Sequence, residues 1–200
     1  MNIVQKIHSK LVFPRRTNFL SKLIINLLPK NVAVLDVGCG DGMIDALIMV
    51  KRPDIKITGI DILKRKKTHI PIIIYDGKKI PFSDNSFDYV LLIDVLHHTN
   101  NLIELIKEAK RVAKKGIIIK DHYSDTSFSK FILKFMDWVG NKSYQVNLPY
   151  NYLSKKRWND IFSSLNLRKQ KEINKLGIYP FPFNLIFERD YHFIVNLIKT

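Results

Sequence analysis

The spacing of apolar positions changes near residue 31. Ahead of it, Ile3, Val4, Ile7 and Leu11, then Leu20, Leu23, Ile24, Leu27 and Leu28, recur at helical intervals and predict two short amphipathic helices separated at Pro14. After it, short apolar runs bounded by Gly, Asp and Asn alternate with helical stretches, the pattern of βαβ units on a mostly parallel sheet. The predicted strands are Val32–Val37, Ile55–Ile60, Ile72–Tyr75, Tyr89–Ile93, Gly116–Ile119 and His192–Ile198. Helices are predicted at Met43–Lys51, Leu102–Ala113, Ser127–Val139 and Ser154–Leu165. Between Asp61 and Pro71 there is room only for a vestigial helix, and Lys64, Arg65, Lys66 and Lys67 make that stretch a solvated basic loop. Beyond Gly140 the pattern is broken by Pro149, Pro180 and Pro182, and substrate contacts are expected there.

A chain of 200 residues with 46% hydrophobic content fits one domain able to bury its own core. The expected organisation is residues 1–30 as a helical lid, 31–123 as the ligand-binding core and 124–200 as substrate-side helices and closing strands. Basic residues interrupt every apolar run short of the roughly 18 residues needed to span a bilayer. Neither a secretory leader nor a disulfide is legible, since the single cysteine, Cys39, has no internal partner, so the expected compartment is the cytoplasm. The formal net charge of +15 admits a polyanionic partner, nucleic acid or an anionic membrane surface. From Met1 to Leu35 there are six basic residues and no acid. A lysine-rich composition explains the total as well, because Lys far outnumbers Arg and no base-stacking aromatic pattern accompanies it.

The chemistry begins at Val34-Leu35-Asp36-Val37-Gly38-Cys39-Gly40-Asp41-Gly42, a buried strand ending in a glycine-rich turn that opens a helix. Such a turn lets a ligand approach the backbone closely, beside the free N–H groups of a helix start. The dinucleotide fingerprint places glycine at the sixth position of G-x-G-x-x-G; here Met43 stands there, which argues against a nicotinamide cofactor.

This run resembles the first motif of the class I S-adenosylmethionine-dependent methyltransferases, and three further segments agree. They are Gly59-Ile60-Asp61-Ile62, the stretch from Asp76-Gly77 through Phe87-Asp88, and Asp94-Val95-Leu96-His97-His98-Thr99, whose L-H-H ending is similar to the type 11 methyltransferases. The resemblance implies a Rossmann-like, doubly wound α/β fold with a mostly parallel seven-stranded sheet, and S-adenosyl-L-methionine as cofactor. It places Asp36, Gly38, Cys39, Gly40 and Gly42 around the cofactor, with Asp61 and Ile62 at the ribose, Asp76 and Gly77 at the adenine, and Ile93 and Asp94 at the methionine end. A helix missing after Asp61 departs from the wider family. Methyl transfer asks mainly for alignment and exclusion of water. Where the acceptor is a hydroxyl or an acidic carbon, a neutral imidazole, His98 or His122, can take its proton. Asp121 and His122 are expected just past the fifth strand, near the substrate. Trp138, Tyr150 and Tyr152 read as core or as an aromatic substrate wall. No metal ligand set is expected, and the acceptor is read as a small molecule, with RNA or a membrane-associated lipophilic acceptor as alternatives.

Overall fold

A computed structural model describes residues 12–141 and 149–199. The predicted helix built on Ile3, Val4, Ile7 and Leu11 falls outside them. The described elements are α1 (Phe13–Ile25), β1 (Ala33–Val37), α2 (Met43–Lys51), β2 (Lys56–Asp61), β3 (Ile72–Ile74) and β4 (Phe87–Ile93). A 3₁₀ turn (Leu96–His98) follows, then α3 (Leu102–Val112), β5 (Ala113–His122), α4 (Ser127–Asn141), α5 (Lys155–Ser164), β6 (Leu167–Ile173), α6 (Asn184–Phe187) and β7 (His192–Lys199).

The seven strands form one sheet in the order β3-β2-β1-β4-β5-β7-β6. Pairing is parallel from β3 through β5, and β7 runs antiparallel to both β5 and β6. The alternation of side chains along each central strand divides the core between two faces. Val90 and Leu92 of β4, with Ile117 and Ile119 of β5, pack under α3 and α5 through Ile106, Ala109, Trp158 and Phe162. Tyr89, Leu91, Ile93 and Ile118 pack on the other face against Leu20 and Ile24 of α1 and Ile48 of α2. Helices on both faces of a mostly parallel sheet give the doubly wound architecture implied by the motifs.

Pro14 lies in the first turn of α1, where its missing N–H costs no hydrogen bond. Two expectations are corrected. β6 was not foreseen, because Leu167-Arg-Lys-Gln-Lys-Glu-Ile is an edge strand whose charges keep its outer side in water and hide any apolar run. β5 runs to His122, so Asp121 and His122 belong to the strand, paired with Phe193 and His192 of β7, instead of following it. As expected, the crossover after Asp61 carries no helix; Ile70 fills the space and is buried against the glycine turn. A Cβ on Gly42, whose φ is +74°, would stand 2.4 Å from Ile70 Cγ1. Glycine there therefore serves both a left-handed backbone and a close packing contact.

Candidate functional site

In an open α/β sheet the carboxyl ends of the strands splay apart where the strand order reverses, here between β1 and β4. A cleft of about 770 Å³ opens at that place. Of the residues expected at the cofactor, Asp36, Gly38, Cys39, Gly40, Asp61, Ile62, Asp76, Gly77, Ile93 and Asp94 line it, as do His98 and His122. Gly42 does not; it caps α2 from behind. Asp121 does not either: it is buried beneath the histidines.

At the glycine end, Gly40 has a φ of +66°, and a Cβ built on it meets no heavy atom within 4 Å, so it borders open space. Its N–H donates to Asp61 Oδ2 at 2.9 Å, while Leu63 N–H donates to Asp61 Oδ1 at 2.8 Å. Each carboxylate oxygen keeps acceptor capacity for a second donor. Asp76 is turned toward its own loop, with Oδ1 accepting from the Lys78 and Lys79 N–H groups, which hold its carboxyl below the usual carboxylate range.

Behind this end, Asp36 on β1 and Asp45 on α2 are both buried, and each feels the other's charge. Burial pushes the Asp36 carboxyl up to about 7, and burial together with the Asp36 charge raises Asp45 well above the usual carboxylate range. The pair therefore keeps a proton toward neutral pH, and Asp36 Oδ1 and both Asp45 oxygens have no hydrogen-bond partner among the described residues. Residual negative charge at the cleft wall favours a cationic ligand group. A sulfonium nucleoside with an amino-acid tail carries both the cation and the hydroxyls that this end of the cleft would accept.

The other end is built where β4 and β5 finish side by side. Asp94, held at φ +54° as the chain leaves β4, receives hydrogen bonds from Arg16 of α1 and from the buried Lys120 Nζ at 2.5 Å. These cations keep Asp94 ionised against the cost of its burial. Lys120 Nζ also lies 3.5 Å from His192 Nδ1, and His192 Nε2 lies 2.9 Å from the Phe187 carbonyl oxygen. The carbonyl requires the proton on Nε2, so Nδ1 is the acceptor facing the ammonium. Asp121 Oδ1 accepts from the His122 N–H at 2.8 Å and from His97 Nδ1 at 2.8 Å, and lies 3.3 Å from His122 Nδ1. His97 Nε2 is 3.3 Å from Asp137 Oδ2, and Asp137 also accepts from the Tyr152 hydroxyl. Burial alone would depress His97, but Asp121 and Asp137 carry it up to about 10. Burial and the His97 charge push His98 down to about 4, and burial with Lys120 lowers His122. His98 and His122 are thus neutral near pH 7 and face the cleft as bases.

Arg16, Thr17, Lys120, Asp137, Tyr179 and His192 also line the cleft and were not singled out as site residues from the sequence. Only Lys120 had a signal, in the Lys120-Asp121-His122 run at a strand end. Tyr152 is buried with Ile132, Leu133 and Tyr191, Trp138 is exposed, and neither they nor Tyr150 line the cleft. Among the described residues no helix is long and apolar enough to cross a membrane.

Residues 35–119 match the family model described as a methyltransferase domain. The chain is 28% identical over 142 residues to a demethylmenaquinone methyltransferase of Renibacterium salmoninarum, covering 64% of this chain and 60% of that one. It is 30% identical over 96 residues to a tRNA (carboxymethyluridine(34)-5-O)-methyltransferase of Schizosaccharomyces pombe, covering 44% and 40%. In the second case it spans well under half of the relative's length. The crystal structure of a SAM-dependent methyltransferase from Aquifex aeolicus superposes with a TM-score of 0.63 at 19% identity, covering all of both chains.

Proposed function

Since the chain belongs to the type 11 methyltransferases of the class I S-adenosylmethionine-dependent fold, we propose that it transfers a methyl group to a small-molecule acceptor held at the histidine end of the cleft. The observation that carries this reading is that one continuous cleft joins the glycine turn and Asp61 to His98 and His122. Bound S-adenosylmethionine supplies a methyl group already activated on a sulfonium. Asp61 would hold the ribose hydroxyls with its remaining lone pairs, Gly40 would leave the backbone open to the ligand, and the Asp36–Asp45 pair would balance positive charge. Asp121 acts as a positioning residue: it fixes the His122 ring with Nδ1–H toward itself, so that Nε2 is the lone pair available to an acceptor proton. Arg16, bonded to Asp94, ties α1 over the cleft and helps to keep water out.

Calorimetric titration with S-adenosylmethionine, followed by a methyl-transfer screen of hydroxyl, amine and thiol acceptors, tests the reading. Binding that disappears in Asp61→Ala supports it, and failure of the wild-type protein to bind the donor ends it. Once an acceptor is found, His122→Ala with wild-type turnover would remove the base from the scheme.

A membrane-associated lipophilic acceptor is favoured by one specific feature. Phe128, Phe131, Phe135 and Trp138 follow each other along one side of α4 and are exposed, as are Phe181, Phe183, Leu185 and Ile186 nearby in the chain from β6 to β7. Phe135 and Phe187 rings, 6.3 Å apart, join the two stretches. Surface aromatics at this density are uncommon on a chain that meets only water, and the net charge suits anionic lipid. Flotation with anionic vesicles that is lost in a Phe131→Ser, Phe135→Ser double variant supports this acceptor class; a salt-sensitive shift of RNA without flotation would favour nucleic acid instead.

A further inference from the structure

Metal-binding capacity lies at the histidine end and is not used by the transfer just described. We propose that His97, His98 and Asp137 form a site for one divalent cation of the zinc class, open on the side of the cleft. One ring nitrogen from each histidine and one carboxylate oxygen of Asp137 lie within 4.8 Å of one another. His97 Nδ1 is engaged by Asp121 at 2.8 Å, so its ligand atom is Nε2, which stands 3.3 Å from Asp137 Oδ2. Around a tetrahedral zinc ion with bonds of about 2.0–2.1 Å, neighbouring ligand atoms are about 3.3 Å apart.

A second observation points to a ligand between these groups. His97 Nε2 and His98 Nδ1 are both buried with no hydrogen-bond partner, and the His97 side chain is only 1% exposed. Although His97 Nε2 is close to Asp137, the two are not aligned as donor and acceptor. A proton on Nε2 would therefore be poorly directed, whereas a cation between the atoms would use both lone pairs. The outer contacts also suit a metal: Asp121 fixes the His97 tautomer by accepting Nδ1–H, and the Tyr152 hydroxyl donates to Asp137. The neighbouring set of Asp94, His97 and His122 is less suited, because Asp94 is already neutralised by Arg16 and Lys120.

His97, His98 and Asp137 all line the cleft, so three protein ligands leave a further position facing it, the arrangement of catalytic rather than structural zinc. The acceptor class this implies, on the strength of the proposed transfer, is a hydroxyl or thiol. Its oxygen or sulfur would occupy the open position and lose its proton to His122 and then to water. The donor's methyl–sulfur bond breaks as the new methyl–oxygen or methyl–sulfur bond forms, and the neutral thioether departs; no oxidant or reductant is required.

The test is titration of chelator-treated protein with Zn²⁺ by calorimetry and with Co²⁺ by visible absorption. One ion per chain is expected, with the intense bands of a four-coordinate cobalt site. Affinity should fall at least about 10-fold in His98→Ala and in Asp137→Asn, which keeps the shape of the side chain, and stay unchanged in His69→Ala, which alters a histidine outside the cleft. Absence of a stoichiometric ion, or one held equally well by the His98 and Asp137 variants, overturns the proposal and leaves a proton on His97 in the metal's place. Titrating S-adenosylmethionine into the same samples separates the two readings: donor binding without metal binding removes this inference alone, and metal binding without donor binding removes only the methyl transfer.

Discussion

Replacing Asp45 by asparagine should change how stability depends on pH more than it changes the fold. Asp36 and Asp45 meet in the core, one at the end of β1 and the other in the first turn of α2, and burial raises both carboxyls. A raised acid is stable in the native state while protonated, so its contribution is fully present below the unfolded value near 4 and is lost as pH rises toward the folded one, about 7 for Asp36. Each proton kept by the native state and lost by the unfolded chain costs about 1.4 kcal/mol per pH unit. In Asp45→Asn position 45 no longer titrates, so the proton it holds in the native state drops out and its share of the slope disappears. Relative to the wild type, the variant should gain about 3 kcal/mol between about pH 5 and pH 7. Other shifted groups are common to both chains. His98, His122 and His192 have depressed values and weaken the native state toward acid, while His97, raised to about 10, stabilises it until pH passes that value. Urea unfolding of both proteins at intervals across this range gives the difference directly. Parallel curves would refute the retained proton.

The two glycines of the turn should respond differently to alanine. Gly42→Ala drives a Cβ into Ile70 at an unfavourable φ and should lose about 2–4 kcal/mol by thermal or chemical denaturation, whereas Gly40→Ala faces open space, should lose only about 1 kcal/mol, and should nevertheless block the donor. Equal losses of stability would contradict this division. Asp61→Ala removes two charge-assisted acceptors at the proposed ribose site, and calorimetry should show at least about a 100-fold loss of donor affinity. Lys120→Met strands Asp94 with Arg16 as its remaining partner and should cost about 3 kcal/mol; adding Asp94→Asn should recover part of it, and no recovery would mean that the buried ion pair is not the source.

The glycine end of the cleft was legible in the sequence because it is local. Asp36 through Gly42 are consecutive, and a strand, a tight turn and a helix start leave a recognisable trace in six or seven residues. Asp61 and Asp76 were legible for a similar reason, each ending a short apolar run. The histidine end is different, because its members come from distant places and meet only through strand pairing. β4 and β5 are parallel neighbours, so Asp94 and Lys120 finish at the same level; β7 runs the opposite way, so its first residue, His192, arrives beside the last residue of β5, His122. An apolar pattern locates a strand but does not give its partner or direction, so His192 looked like the start of a closing strand and nothing more. Asp137 was hidden differently: on an amphipathic helix a single acid reads as solvent-facing, yet here it turns inward to His97 while the aromatic residues of the same helix face out. That inversion, polar within and apolar without, follows if α4 has a charged cluster to complete on one side and an apolar surface to meet on the other.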